Sequence, residues 1–130
     1  MAKLSEIMSS KVFSAAPDTP VSEAARSMVE GRFGSALVLD GRWLVGIFTE
    51  RDVLRAAASG ADLTKSPLSE WMTRDPVTVG PDMDSEEATQ IMASQGFRHL
   101  PVLDGDNVTG IVSLRDLLRA RIGRRAAPSA

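Results

Sequence analysis

Two stretches of the chain carry apolar residues at the three- and four-residue spacing of an amphipathic helix. The first holds Val21, Ala24, Ala25, Met28 and Val29, the second Ala88, Ile91 and Met92. Start signals precede both: Thr19-Pro20 before the first, and before the second Asp84 with Glu87 three residues on, the acidic form of a capping box. Glycines at 31 and 96 mark the expected ends. After each predicted helix comes an apolar run (Ala36 to Leu39; Leu100 to Leu103), an Asp-Gly turn signal and a second run (Leu44 to Thr49; Val108 to Ser113). That pattern predicts two strands joined by a tight turn, followed by a closing helix. Upstream, Val12 to Ala15 and Val77 to Val79 are candidate first strands, each preceded by a short amphipathic turn, Leu4 to Met8 or Leu68 to Met72. The predicted order in each half is therefore strand, helix, strand, strand, helix, with the polar Gly60 to Pro67 as the linker.

The halves match because the chain is a tandem duplication. Leu4 to Ala56 reappears as Leu68 to Ala120 at a constant offset of 64 without a gap, and about 21 of 53 aligned positions are identical. The period is too long for a solenoid unit, which runs about 20 to 50 residues and needs three or more copies. A unit of about 60 residues buries too small a fraction of its surface to be comfortably stable alone, so the copies should pack on each other around a pseudo-twofold axis. The expectation is an α/β (α+β) fold of two pseudo-symmetric repeats, residues 1–62 and 63–122, packed sheet to sheet. Residues 123–130 read as a flexible tail, entered through the basic run Arg119, Arg121, Arg124 and Arg125, which is expected to be solvated.

Composition narrows the chemistry. There is no cysteine, which removes disulfides, thiolate nucleophiles and sulfur-bound metals, and one histidine, His99, which leaves little for a metal cluster. The net charge of −2 provides no field to draw in nucleic acid. No apolar run approaches the roughly 20 residues of a membrane span, and the N-terminus lacks a signal-peptide layout, so a cytoplasmic protein with no nucleic-acid or membrane partner is expected. The six methionines read as core filler.

One segment has chemistry in it, and it occurs twice. Gly46-Ile47-Phe48-Thr49-Glu50-Arg51-Asp52 and Gly110-Ile111-Val112-Ser113-Leu114-Arg115-Asp116 each place a glycine, an apolar strand end, a hydroxyl and, three residues later, a carboxylate where a helix begins. Hydroxyl N-cap and acidic third position are a capping pattern in their own right. The same geometry also suits a nucleoside phosphate. Helix-start N–H groups and the helix dipole favour a phosphate, and a carboxylate accepts both hydroxyls of a ribose diol. An upstream glycine permits close approach of a ligand ring.

With the Met-Ser/Thr opening, the Pro-Asp before the first helix and Arg98-His99-Leu100-Pro101-Val102-Leu103-Asp104, these doubled heptapeptides resemble the cystathionine β-synthase (CBS) domain over Leu4 to Ala120. The resemblance implies a Bateman module: a regulatory, non-catalytic pair with clefts between the repeats. Such clefts bind AMP, ADP or ATP, in some members NAD or S-adenosylmethionine, as regulatory ligands, and no cofactor is required. Carried onto this chain, the resemblance has Asp52 and Asp116 hold ribose hydroxyls, with Thr49 and Ser113 at ribose or phosphate oxygens. Ser14, Ala15, Thr78 and Val79 would line the adenine with backbone groups, and Ile47 and Ile111 would lie against its face, with Pro101 also lining the ligand. Arg98 and His99 fit the basic pair that meets phosphates. Gly34-Ser35 stands at that slot in the first half, so the clefts are unequal in charge; since they are expected to face each other, the basic pair is assigned to neither alone. The resemblance further implies a homodimer, with output through an unidentified effector protein.

Two other readings compete. In one, the clefts are vestigial and the chain is a dimerisation or docking scaffold. In the other, His99 works with Asp104 or Asp116 in a hydrolase, but no activated nucleophile or second histidine accompanies it.

Overall fold

The computed structural model describes residues 2–126. The chain forms two compact units whose borders do not follow the sequence period. One is Val12–Pro76; the other joins Met1–Lys11 to Val77–Ala130. The opening turn of each repeat thus belongs to the unit that holds the body of the other.

In the unit Val12–Pro76, β1 (Ser14–Ala15), β2 (Ser35–Asp40), β3 (Trp43–Thr49) and β4 (Thr73–Arg74) form one sheet in that order, β1 parallel and the others antiparallel. The Asp-Gly signal makes the β2–β3 turn, where Asp40 pairs with Trp43 and Gly41 takes φ +62°, a conformation open to glycine without penalty. Helix α2 (Val21–Gly31) and helix α3 (Glu50–Ala58) lie in the same unit. Val21, Ala24 and Met28 of α2 join Ala36, Val38, Phe48, Ala56 and Leu68 in a closed apolar core. Leu68 comes from the one-turn 3-10 helix Leu68–Glu70, and its backbone N–H donates to Thr19 O at 2.9 Å.

The other unit repeats this plan with fewer sheet bonds. Helix α1 (Leu4–Ile7) brings Leu4 into a core with Val79, Ala88, Met92, Leu100, Val102, Val112 and Leu117, drawn from α4 (Ser85–Gln95), β5 (His99–Asp104), β6 (Asn107–Ser113) and α5 (Leu114–Ala126). Strands β5 and β6 pair antiparallel, with a register shift at Val102/Leu103 that matches the one at Val38/Leu39. The flanking strands shrink to single bridges, Val79 with Val102 and Ser9 with Ile111, at the positions equivalent to Ala15 with Val38 and Thr73 with Ile47. The first strand expected at Val77 to Val79 is therefore a one-residue contact.

Several local expectations need amendment. Val29 is 78% exposed, because only Val21, Ala24 and Met28 form the buried stripe of α2. Helix α2 ends at Gly31 as expected, but the left-handed cap is the next residue. Arg32 takes that conformation, with φ 59°, where the second repeat has Gly96 at φ 77°. Asp84 caps α4 through Glu86 N–H at 2.9 Å, one residue earlier than the capping-box pattern placed it. Helix α5 continues through Gly123 to Ala126, into the span expected to be a tail, and residues 127–130 lie outside the described residues. Within it, Arg121 is exposed and ion-paired with Glu86 of α4. No helix among the described residues is long and apolar enough to cross a membrane.

Candidate functional site

Each doubled heptapeptide folds as a strand that turns directly into a helix, because the hydroxyl residue ends the strand in extended conformation and caps the helix that follows. At the end of β3, Thr49 has φ −123° and ψ 171°, and Glu50 opens α3 with its N–H donating to Gly34 O at 3.2 Å. At the end of β6, Leu114 N–H donates in the same way to Arg98 O, at 2.9 Å. Both helix starts are thereby tied to the residue just before the first strand of the hairpin, β2 or β5, which fixes the position of the carboxylate one turn on.

The carboxylates do what capping chemistry asks. Asp52 Oδ2 accepts the Thr49 N–H at 2.9 Å, and Asp116 Oδ2 accepts the Ser113 N–H at 2.9 Å. Beyond that bond the two copies differ. The Thr49 hydroxyl donates to Asp52 Oδ2 at 3.3 Å, and Arg55 Nη1 donates to Asp52 Oδ1 at 2.9 Å, so both oxygens of this carboxylate, only 6% exposed, are engaged. The Arg55 guanidinium also lies 5.6 Å from the centre of the Trp71 ring, in range of a cation–π contact. In the second copy the Ser113 Oγ accepts the Asp116 N–H at 3.1 Å, as the Thr49 side chain accepts the Asp52 N–H, but among the described residues the Ser113 hydroxyl makes no donation to Asp116 like that of Thr49 to Asp52. Asp116 Oδ1 has no partner among the described residues.

Strand register places the other predicted residues. His99 stands directly opposite Ser113, and Pro101 opposite Ile111, so these four share one face of the β5–β6 pair at the start of α5. In the first copy Ser35 faces Thr49 and Leu37 faces Ile47 in the same register, which confirms Ser35 as the uncharged equivalent of His99. Ile47 is buried at 7% exposure, and Ile111 is half-buried. Arg98 is exposed in the bend before β5.

The first-strand residues divide. Ser14 and Thr78 are exposed, and Ala15 is half-buried. The Val79 side chain is in the core at 4% exposure, its N–H donates to Pro101 O at 3.0 Å, and its carbonyl accepts from Leu103 N at 2.9 Å. Its N–H is taken up by the sheet, its carbonyl keeps one acceptor position, and Thr78 is the exposed residue of that segment. The glycines also serve another purpose than ligand approach. A Cβ on Gly46 would lie 2.5 Å from Met72 Sδ, and one on Gly110 would lie 2.6 Å from the Ser9 carbonyl oxygen and 2.8 Å from Met8 Sδ. The space beside each glycine is filled by the opening segment that crosses the strand.

Sequence reasoning passed over Arg55 and Trp71. The signal that was present is the Asp52-to-Arg55 spacing, which puts opposite charges on one helix face. The same spacing recurs as Asp116 to Arg119, yet the ion pair forms among the described residues only at Asp52. Among the described residues no group of three or more His, Asp or Glu side chains is placed to hold a metal.

Two α+β repeats, each ending a strand in a hydroxyl and opening a helix with a carboxylate, define a class of paired modules. The CBS domain family matches residues 4–59 and again 68–123, and the chain belongs to that family as a tandem pair. It is 35% identical to the CBS domain-containing protein YhcV of Bacillus subtilis, covering 100% of this chain and 93% of that one. Among solved structures, the CBS domain protein PAE2072 of Pyrobaculum aerophilum, complexed with AMP, superposes with a TM-score of 0.85 at 26% identity, over 98% of this chain and all of that one. The CBS domain pair of protein MJ0100, in complex with 5-methylthioadenosine and S-adenosyl-L-methionine, gives a TM-score of 0.87 at 26% identity over 95% of this chain and 98% of that one.

Proposed function

We propose that this protein is a regulatory module that binds adenine nucleotides, with AMP, ADP and ATP as first candidates and NAD or S-adenosylmethionine as the wider class. The observation that carries the reading is the Ser113–Asp116 pair. Among the described residues no hydrogen bond engages the Ser113 hydroxyl hydrogen or Asp116 Oδ1, which stand at the start of a helix on the same strand face as His99 and Pro101. A ribose diol has two O–H donors for such a carboxylate, and a phosphate is favoured by the helix start and by Arg98 and His99. The adenosyl ligands of PAE2072 and MJ0100 support the same class of ligand here. Thr49 and Asp52, with Ser14 and Ala15, form the equivalent site in the other unit. The role is to shift a conformational or partner equilibrium, which a ligand does only through its differential affinity for the two states. Output passes to an effector protein, and the setting is cytoplasmic.

The test is calorimetric titration of AMP, ADP, ATP, NAD and S-adenosylmethionine into wild type and the Asp52→Ala/Asp116→Ala protein. Binding of at least one, lost in the double variant, is expected. Silence from all five, or binding untouched by the substitutions, overturns the reading.

A second reading, a homodimer or docking scaffold, has its own observation. Leu54 of α3 and its repeat equivalent Leu118 of α5 are 70% and 48% exposed, and Ile122, one turn after Leu118, is 63% exposed. Sedimentation of wild type beside Leu54→Glu and Leu118→Glu distinguishes the roles: a dimer that the charges dissociate supports self-association, and a monomer at every concentration removes it.

A further inference from the structure

We infer that the two sites fill in a fixed order, the Ser113–Asp116 site first, because Arg55 latches the Asp52 site shut. This rests on the nucleotide reading above and adds to it a residue that controls occupancy.

A ribose diol can be held by Asp52 only through oxygens that the protein already uses. Oδ2 takes the Thr49 N–H and hydroxyl, and Oδ1 takes Arg55 at 2.9 Å. The Thr49 hydroxyl, donating to Asp52 at 3.3 Å, must turn away from the carboxylate to offer its hydrogen to a phosphate. Oδ1 keeps one acceptor position, enough for one hydroxyl of a diol and not for both, so a ligand held through both hydroxyls must displace the guanidinium, which is held from a second side by the Trp71 ring. The repeat supplies an internal control. Arg119 is the equivalent of Arg55 at the offset of 64, but the equivalent of Trp71 is Ile7, which has no π face. Without that backstop no Arg119–Asp116 ion pair forms among the described residues, and the Ser113 hydroxyl makes no donation to Asp116 there. The same spacing of glycine, hydroxyl and carboxylate thus gives one open carboxylate and one satisfied carboxylate among the described residues.

An ion pair between exposed Arg55 and buried Asp52, together with a cation–π contact, sets the handicap of the latched site at roughly three- to thirtyfold in affinity. The two tryptophans of the chain make it readable, since Trp43→Phe leaves Trp71 as the only one. In that background, Arg55→Ala should shift Trp71 emission with no ligand present, and Arg55→Lys should shift it less. AMP titration of the Trp43→Phe protein should then give two phases. Asp116→Ala removes the tighter phase, Asp52→Ala the weaker, and Arg55→Ala tightens the weaker phase toward the other. Loss of the tighter phase in Asp52→Ala, or a weaker phase unmoved by Arg55→Ala, overturns the order of filling. Trp71 emission indifferent to Arg55→Ala in the ligand-free protein overturns the latch itself. If that emission shifts but neither phase appears with AMP or any of the other four ligands, the nucleotide reading is what fails, and the order of filling falls with it.

Discussion

Alanine at Gly110 should cost stability in the absence of any ligand, and more than alanine at Gly46. A Cβ at Gly110 lies 2.6 Å from the Ser9 carbonyl oxygen, well inside ordinary van der Waals distance. That carbonyl accepts the Ile111 N–H at 2.9 Å, and Ser9 N–H donates back to Ile111 O at 2.9 Å, so it can retreat only by giving up the bridge between the opening segment and β6. Overpacking costs about 1–3 kcal/mol, and a strained or lost hydrogen bond adds about 1 kcal/mol, which puts Gly110→Ala near 3 kcal/mol. At Gly46 the obstacle is the Met72 side chain alone, with Sδ at 2.5 Å and Cγ at 3.0 Å. A thioether with three rotatable bonds can move aside, so about 1 kcal/mol is expected there. For a chain of this size the Gly110 change corresponds to a loss of about 10 °C in melting temperature, and the Gly46 change to about a third of that. Ligand-free thermal and urea melts of both variants measure it. If the glycines instead make room for a bound ring, both variants melt with wild type and lose only affinity; a Gly110→Ala melting point within about 2 °C of wild type refutes the packing argument.

Other consequences follow from single residues. Leu4→Ala removes a fully buried side chain and should cost about 2–5 kcal/mol, seen in hydrogen exchange as lost protection in α4, β5 and β6, not in β2 and β3; the opposite pattern refutes the assignment of Leu4 to that core. Arg32→Gly relieves a left-handed non-glycine residue and should stabilise by about 1 kcal/mol, read from the urea midpoint, whereas Gly96→Ala should destabilise by a similar amount. The hydrogen bonds from the Thr64 hydroxyl and backbone hold the Asp62 carboxyl below its ordinary value. A depressed carboxyl contributes stability above its unfolded pKa and loses it as pH falls through the folded one. Thr64→Val should therefore raise the Asp62 titration measured by carboxyl NMR, and an unmoved curve removes the cause.

What could be read from the sequence is what depends on neighbours along the chain. Thr49 with Asp52 and Ser113 with Asp116 are three residues apart, and a helix start brings such a pair together whatever else the chain does. The Asp-Gly turns and the apolar runs that hold Ala36, Val38 and Phe48 are local in the same sense. The misreadings lie where a residue from far along the chain decides. Gly46 and Gly110 are small because Met72 and Met8 cross them. Arg55 is invisible as a latch until Trp71 is placed beside it. Val29 follows the helical spacing but falls outside the narrow stripe that α2 buries.

The unequal sites and the exchanged opening turns have one structural root. A repeat read straight off the sequence lacks the residue that closes its core: Leu68, from the second copy, completes the core built by Val21, Ala24, Met28 and Phe48. Leu4, from the first, completes the one built by Ala88, Met92, Leu100 and Val112. A single copy of about 60 residues is marginal even with its core complete, so the exchange ties the stability of each unit to the presence of both copies. It also means that each site is built on its own motif but backed by the other copy's opening turn. Trp71 follows Leu68 on the turn that closes the Asp52 unit, and Ile7 occupies the equivalent place in the Asp116 unit. A change of one residue in an opening turn, tryptophan against isoleucine, therefore alters the site of the opposite repeat while both heptapeptides keep their glycine, hydroxyl and carboxylate. Divergence outside the motif is how two copies of one motif in this chain come to differ, one carboxylate with both oxygens engaged and the other with an oxygen open among the described residues.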